Sequence, residues 1–436
     1  MIARKIGLAV IATVLAVAGL ASATSVPARH GYTFKVLHYF DCDPSCLTGA
    51  DLQSGLTLDS HGNLYGVAFQ GGGNFNCAGE EQGCGTIFRL SPASHGEWEF
   101  TTLIEFDGTD GGYPLTSPIF DASGNLYGTT YVGGEYDYGT VYELSPGTSN
   151  LNTIATFSGA NGIAPLGNIV FDSAGNLYGV TQDGGTLKCD GGDGCGIVYQ
   201  LSPQGDGTWM QTTLASFPGG KGAFPYAGPV LGADGNLYGS TQQGRLTQYG
   251  SIYELSPGPD ESWMLTTIFR FNGGNGANPE YSLVFDQAGN LYGTATEGGD
   301  LNCTTDGCGT VFGLSPNGDG TWKETTLHVF SVGEGNFPSS SLSMDASGNL
   351  YGTTYAGGDY ANCFNGCGTI YRLSPQSNGN WKYTDLFDFD GPHGASPEGG
   401  LTVDPAGNVF GVTNLGPTLT GGTVFELSPT TGSRER

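Results

Sequence analysis

The chain spells G-N-[LV]-[YF]-G seven times, with its asparagines at Asn63, Asn125, Asn176, Asn236, Asn290, Asn349 and Asn408. The copies stand about 58 residues apart on average, slightly more than kelch- or WD-type units. Two further markers rotate with the first. Leu-Ser-Pro follows each copy, with its serines at Ser91, Ser145, Ser202, Ser256, Ser315, Ser374 and Ser428. An apolar run precedes each copy and ends in Phe40, Phe106, Phe157, Phe217, Phe271, Phe330 or Phe389. Three markers in strict order seven times mean that one structural unit is repeated seven times.

One unit reads "WKETTLHVF", "SSSLSMDASG", "NLYGTTYAGG" and "GTIYRLSP". Each piece is short, rich in β-branched or aromatic residues, and bounded by Gly, Pro, Asn or Asp, which reads as a strand. Four antiparallel strands per unit, seven times, predict an all-β, seven-bladed β-propeller of four-stranded blades. Neither end unit carries a polar cap of the kind an open array needs. The chain starts its repeats with "YTFKVLHYF", the outer-strand piece, and ends them with "GTVFELSP". The N-terminal strand is therefore expected to complete the last blade and remove two free sheet edges. The propeller is expected over 32–429, preceded by a short segment at 24–31 and followed by a disordered tail at 430–436.

With 77 glycines in 436 residues and no G-x-y period, the composition fits a turn-rich β protein, not collagen or disorder. Arg4 and Lys5, an apolar run from Ile6 to Leu20 and then Ala21-Ser22-Ala23 predict a secretory signal at 1–23. The run is too short to span a membrane, so no membrane span is expected once the signal is removed. The formal net charge of −27 makes nucleic acid and anionic membranes poor partners. A secreted, extracellular or periplasmic monomer is expected.

The sequence resembles the GloVer tandem-repeat family of exported bacterial proteins, some of them described as choice-of-anchor proteins. The resemblance rests on G-N-L-Y-G-T-T, the downstream G-G and G-T-V-[YF]-x-L-S-P, and it covers nearly all of the chain after the signal. It implies export and a repeat fold; it implies no particular biochemical activity. Relatives carry varied C-terminal anchors, whereas after Pro429 this sequence reads TTGSRER.

The repeated decapeptide "DASGNLYGTT", at Asp121–Thr130 and again at Asp345–Thr354, offers two readings. A Ca²⁺ loop would need oxygen donors at alternate positions and a distal bidentate Glu, which do not follow Asp345. One copy also has Gly232 in place of the first Asp, with the acid moved to Asp234. A turn, with Asp accepting backbone N–H groups, is the better reading. Gly352 is expected to make room for a large side chain from the next sheet. Trp98, Trp209, Trp263, Trp322 and Trp381, with Tyr32 in the same place at the N-terminus, are expected to cover the turn and edge of their own blades.

The ten cysteines fall into close pairs, Cys42/Cys46, Cys77/Cys84, Cys189/Cys195, Cys303/Cys308 and Cys363/Cys367, expected as disulfides in an exported chain. The spacing does not suit zinc, and neither a metal nor a cofactor is expected. Four pairs lie in the long loop after G-G. That loop and the inter-blade connection are expected on one face, and the hairpin and Leu-Ser-Pro turn on the other. The loop face is acidic and aromatic, and its candidate ligand residues are Asp110, Tyr113, Glu135, Tyr136, Tyr138, Tyr226, Tyr249, Glu280, Tyr281, Glu297, Phe337, Tyr355, Asp359, Tyr360 and Glu398. A merely solvated surface explains part of that list.

Histidines do not converge: His38 and His328 fall in outer strands, His61 and His95 in turns of the opposite face, and His393 alone in an inter-blade loop. G-x-S-x-G, H-E-x-x-H and the P-loop are absent, and no catalytic residue is assigned. The favoured expectation is a non-catalytic extracellular scaffold binding a polysaccharide or another cell-surface component through the loop face. A carboxylate-dependent glycoside hydrolase or lyase, and a purely structural envelope protein, are the alternatives.

Overall fold

A computed structural model describes residues 25–40, 46–77, 83–185, 189, 194–219, 222–242, 249–260, 262–358, 362–417 and 420–430. Residues 1–24, which include the expected signal, and residues 431–436 lie outside these ranges. The chain forms seven antiparallel sheets in sequence order around a central axis, with no α-helix among the described residues. Blade I runs outward as Thr57–Leu58, Leu64–Ala68, Thr86–Pro92 and Trp98–Glu105. Blades II to VI repeat this order. The innermost strand is often only two residues long, as at Thr57–Leu58 and Val284–Phe285, because sheets converge at the axis and leave little width there.

Blade VII consists of Thr402–Val403, Val409–Thr413 and Gly422–Pro429, and its outer strand is Tyr32–Phe40. The pairing is antiparallel, from Tyr32 opposite Pro429 to Phe40 opposite Gly422. The ring is therefore closed by the N-terminal strand, as the sequence implies. Ser25–Pro27 adds a fifth strand outside it. Beyond that strand Arg29 pairs with Asp385 and Asp388 of blade VI, so the N-terminal segment also ties blade VII to its neighbour.

The inner hairpin is held by its aspartate. Asp121 Oδ1 accepts the amides of Ser123 and Asn125, and Oδ2 accepts Asn125 Nδ2, each at 2.8 Å. The same geometry recurs at Asp59, Asp172, Asp286, Asp345 and Asp404. Asp234 takes over from two residues further on, accepting Asn236 N at 3.0 Å and Tyr238 Oη at 2.7 Å. A carboxylate so occupied is a turn lock, and these hydrogen bonds hold Asp59, Asp172 and Asp286 below the usual carboxylate range against the opposing effect of partial burial.

Two packing expectations need correction. Gly352 makes room for Tyr371, which lies opposite it on the adjacent strand of the same blade, not for a side chain of the next sheet. The pair recurs as Gly66/Phe88, Gly128/Tyr142, Gly179/Tyr199, Gly239/Tyr253, Gly293/Phe312 and Gly411/Phe425. Each large ring lies over its own glycine and also meets the buried strand-end Phe of the preceding blade, as Tyr371 meets Phe330 edge-on at 5.1 Å. The tryptophans, for their part, cover the preceding blade. Trp209 meets Tyr127 of blade II edge-on at 6.1 Å, Trp322 meets Tyr238 of blade IV at 5.7 Å, and Trp381 meets Tyr292 of blade V at 5.6 Å. They are inter-blade wedges.

Candidate functional site

Each inter-blade connection enters the inner strand through one residue in the left-handed region: Asp51, Tyr113, Ala164, Phe224, Asn278, Phe337 and Ser396, with φ between 51° and 59°. None is glycine, so each carries some backbone strain. The conformation aims the amide at the carbonyl that ends the preceding blade's long loop: Tyr113 N donates to Cys84 O at 2.9 Å and Ser396 N to Cys367 O at 2.8 Å. It also turns the following residues toward the axis.

Those following residues build a funnel. Two positions after the left-handed residue stand Gln53, Leu115, Leu166, Tyr226, Glu280, Ser339 and Glu398, one per blade. Two positions further on, Gly55, Ser117, Asn168, Gly228, Ser282, Ser341 and Gly400 form a constriction of small residues. There a β-carbon on Gly55 would stand 2.6 Å from Gly400 O, and Ser282 N donates to Ser341 Oγ at 3.1 Å across the blade V/VI seam. Most of these residues line one axial cavity of about 120 Å³.

Two carboxylates dominate the cavity. Glu280 accepts Gln242 Nε2 of blade IV at 2.5 Å and Thr296 Oγ1 at 3.4 Å. Burial nevertheless raises its pKa. Glu398 is pushed up to about 7, chiefly by burial and further by the negative charges of Asp51 and Glu280, against a hydrogen bond from Asn414. Tyr281 and Tyr226 share this field: burial and the two glutamates raise both phenols, with Tyr355 also acting on Tyr281 and Tyr131 on Tyr226. The cavity therefore offers hydrogen-bond acceptors, the phenol rings of Tyr226 and Tyr281, and a carboxyl whose pKa is raised toward neutrality.

The structure brings Tyr226, Glu280, Tyr281, Tyr355 and Glu398 together and leaves other candidates outside the funnel. Glu297 is held by Asn278 Nδ2 at 2.7 Å, and its pKa is raised by burial and by Asp306 and Glu280. Asp110 closes the turn of its own loop by accepting Asp107 N at 2.9 Å, and burial raises it to about 6. Tyr113 is buried and stacks on Phe69 at 4.9 Å; it and Phe337 serve as left-handed connectors. Glu135 and Tyr136 are exposed on the outer loop of blade II. Asp359 and Tyr360 lie outside the described residues.

Tyr138 and Tyr249 have a different job. The disulfides Cys77–Cys84, Cys189–Cys195, Cys303–Cys308 and Cys363–Cys367 are formed; Cys46 is also disulfide-bonded, and Cys42 lies outside the described residues. Cys77 Sγ covers the inter-blade turn at Gly108, 3.3 Å from where its β-carbon would be, and Cys189 Sγ covers Gly219 at 3.5 Å. Blades II and IV lack cysteines. There Tyr138 covers Gly159 at 3.8 Å and Tyr249 covers Gly273 at 3.1 Å. These two tyrosines replace a disulfide as the cover of a turn.

Gln242, Thr296, Asn414, Tyr131, Asp51 and Gln53 complete the site and are not singled out by residue type. Their signal is positional: they stand at the end of the second strand or beside the inner-strand entry, where the repeats cease to agree. Among the described residues no three His, Cys, Asp or Glu side chains are grouped to hold a metal ion, and no helix is long and apolar enough to cross a membrane.

The Gloeobacter/Verrucomicrobia repeat matches residues 25–192, 74–305, 185–364 and 302–436. The chain belongs to this family. No curated protein matches its sequence. Among solved structures, this Gloeobacter/Verrucomicrobia repeat protein is similar to the extracellular domain of a one-component system of B. thetaiotaomicron, at 12% identity and a TM-score of 0.53, over 94% of this chain and 46% of that one. It is also similar to a gluconolactonase of Xanthomonas campestris, at 12% identity and a TM-score of 0.43, over 94% of this chain and 99% of that one. At such identity the first likeness speaks for the propeller fold alone.

Proposed function

We propose that the protein is an extracellular binding propeller whose axial funnel receives the end of a carbohydrate polymer. The reading rests on the convergence of Glu280, Glu398, Tyr226 and Tyr281 on one axial cavity. Carboxylates and amide side chains suit the hydroxyl groups of a sugar, and phenol rings suit its apolar faces. A cavity of about 120 Å³ is small, which favours a chain end over a chain interior as its occupant. The disulfides fit an oxidising compartment. The test is a glycan array on the mature protein beside Glu280→Gln and Tyr226→Ala. Retained binding in both variants would move the site elsewhere, and no binding by the wild type would favour a structural envelope role.

One observation favours a second reading, a carboxylate-dependent glycoside hydrolase. Glu398, raised by burial to about 7, shares the cavity with a second acid, Glu280, and general acid catalysis of glycoside cleavage uses such a pair of carboxyl groups. Incubation of the wild type with each bound glycan, followed by product analysis, separates the two. Fragments released by the wild type and not by Glu398→Gln would establish the enzyme.

A further inference from the structure

On the opposite face, the seam between blades I and II is built differently from the others. At four seams a Trp, and at the blade VII/I seam Trp98 against Phe410, rests on the preceding blade's central aromatic. At the blade VI/VII seam Tyr32 takes that place, opposite Pro429 as Trp322 is opposite Pro316. Blade II has no such ring. Its turn from Pro146 to the outer strand is short, Leu144 pairs directly with Leu151, and the position of the wedge is deleted. What remains is a cavity of about 350 Å³ lined by Tyr65, Arg89, Phe120, Leu126 and Leu144.

The seam between blades VI and VII, where a tyrosine takes the wedge position, shows what this cavity is suited to take. At blade VI/VII, Arg372 Nη1 donates to the hydroxyl of Tyr32 at 3.4 Å, and that hydroxyl is hydrogen-bonded to Tyr351, which in turn donates to Asp345 Oδ2 at 3.1 Å. At blade I/II the same three partners stand ready. Arg89 occupies the strand position of Arg372, Tyr65 that of Tyr351, and Tyr65 Oη donates to Asp59 Oδ2 at 3.4 Å. Arg89 is hydrogen-bonded to Tyr65. Only the phenol is missing. The undescribed ends of the chain, 1–24 and 431–436, contain no aromatic residue that could supply it.

We infer that the blade I/II cavity is a binding site for a small phenolic compound, its ring on Tyr65 between Phe120 and Leu144 and its hydroxyl facing Arg89 and Tyr65. The cavity's size is that of a small-molecule site. The apolar walls supply affinity, and the charged donor distinguishes a phenol from a plain arene.

The test uses the full mature chain and p-cresol, followed by titration calorimetry and by saturation-transfer NMR. Wild type is expected to bind p-cresol about tenfold more tightly than toluene, and Arg89→Gln to erase that preference. Exchanging residues 147–150 for the seven residues 317–323 restores a Trp wedge and is expected to abolish binding while leaving the melting temperature equal or higher. Independently of any variant, nuclear Overhauser contacts should join the p-cresol ring to the methyls of Leu126 and Leu144. No p-cresol binding by the wild type, undiminished binding by the exchange variant, or contacts to other residues only would each overturn the assignment.

Discussion

Tyr371 lies with its hydroxyl over Gly352, filling the space that a β-carbon there would need, and that buried hydroxyl has no hydrogen-bond partner among the described residues. Tyr142, Tyr199 and Tyr253 repeat the arrangement, whereas Phe88, Phe312 and Phe425 stand in the same place without a hydroxyl. An unpaired buried hydroxyl costs about 1–3 kcal/mol. Tyr371→Phe is therefore expected to raise stability by about 1 kcal/mol in urea denaturation. Gly352→Ala is expected to lower it by about 3 kcal/mol through overpacking, and unchanged stability in that variant would contradict the packing.

Tyr138 covers Gly159 as a disulfide covers its counterparts. Tyr138→Ala should therefore cost about 1 kcal/mol in thermal or urea unfolding. It should leave the glycan binding proposed for the funnel intact, a combination that a ligand-contacting tyrosine would not give.

Ala164 sits at φ 54° in the inter-blade connection. A β-branched side chain is poorly tolerated there. Ala164→Val is expected to lower the unfolding free energy in urea by about 2 kcal/mol, with Ala164→Gly neutral or mildly stabilising. Equal stability for all three would argue against a strained connector.

Glu398, with a folded pKa near 7, lies above the value of a free carboxyl. The native state then holds more protons than the unfolded chain between about pH 4.5 and 7, so this group makes stability fall as pH rises through that window. Glu398→Gln should flatten the decline and gain most above pH 7, on the order of 2 kcal/mol. Unfolding midpoints at pH 5, 6, 7 and 8 for both proteins check this. His38, lowered to about 4 by burial, acts in the opposite sense, its contribution being lost as pH falls below about 6.5.

The architecture is legible in the sequence because every blade needs the same hairpin, and Asp345, Asn349 and Gly352 meet that need in the same way each time. The funnel is much less legible. Glu280 and Glu398 stand out as acids on the loop face, but their neighbours Gln242 and Asn414 come from different strands and show no common residue type. A cavity on the axis is made of one residue from each unit, so it exists only after closure, and the repeat signal is silent where the units diverge. Tyr138 misleads for the complementary reason. It is exposed, polar-tipped and in a varied loop, yet its work is to replace a sulfur pair whose absence is visible only against the other blades. Gly352 and Trp322 show a further limit, since periodicity says that a ring and a space recur but not which sheet supplies each.

The pairing of Tyr32–Phe40 with Gly422–Pro429 also sets an order of events in time. The strand made first has to wait for the strand made last, so the sheet that seals the circle is the one with the longest loop to close. A nascent chain can assemble blades I to VI as they emerge. It must keep Phe34 and its neighbours uncommitted until synthesis is finished. The circle is thus a checkpoint for completeness: a chain cut short anywhere before Gly422 has an orphan first strand and no means of hiding it.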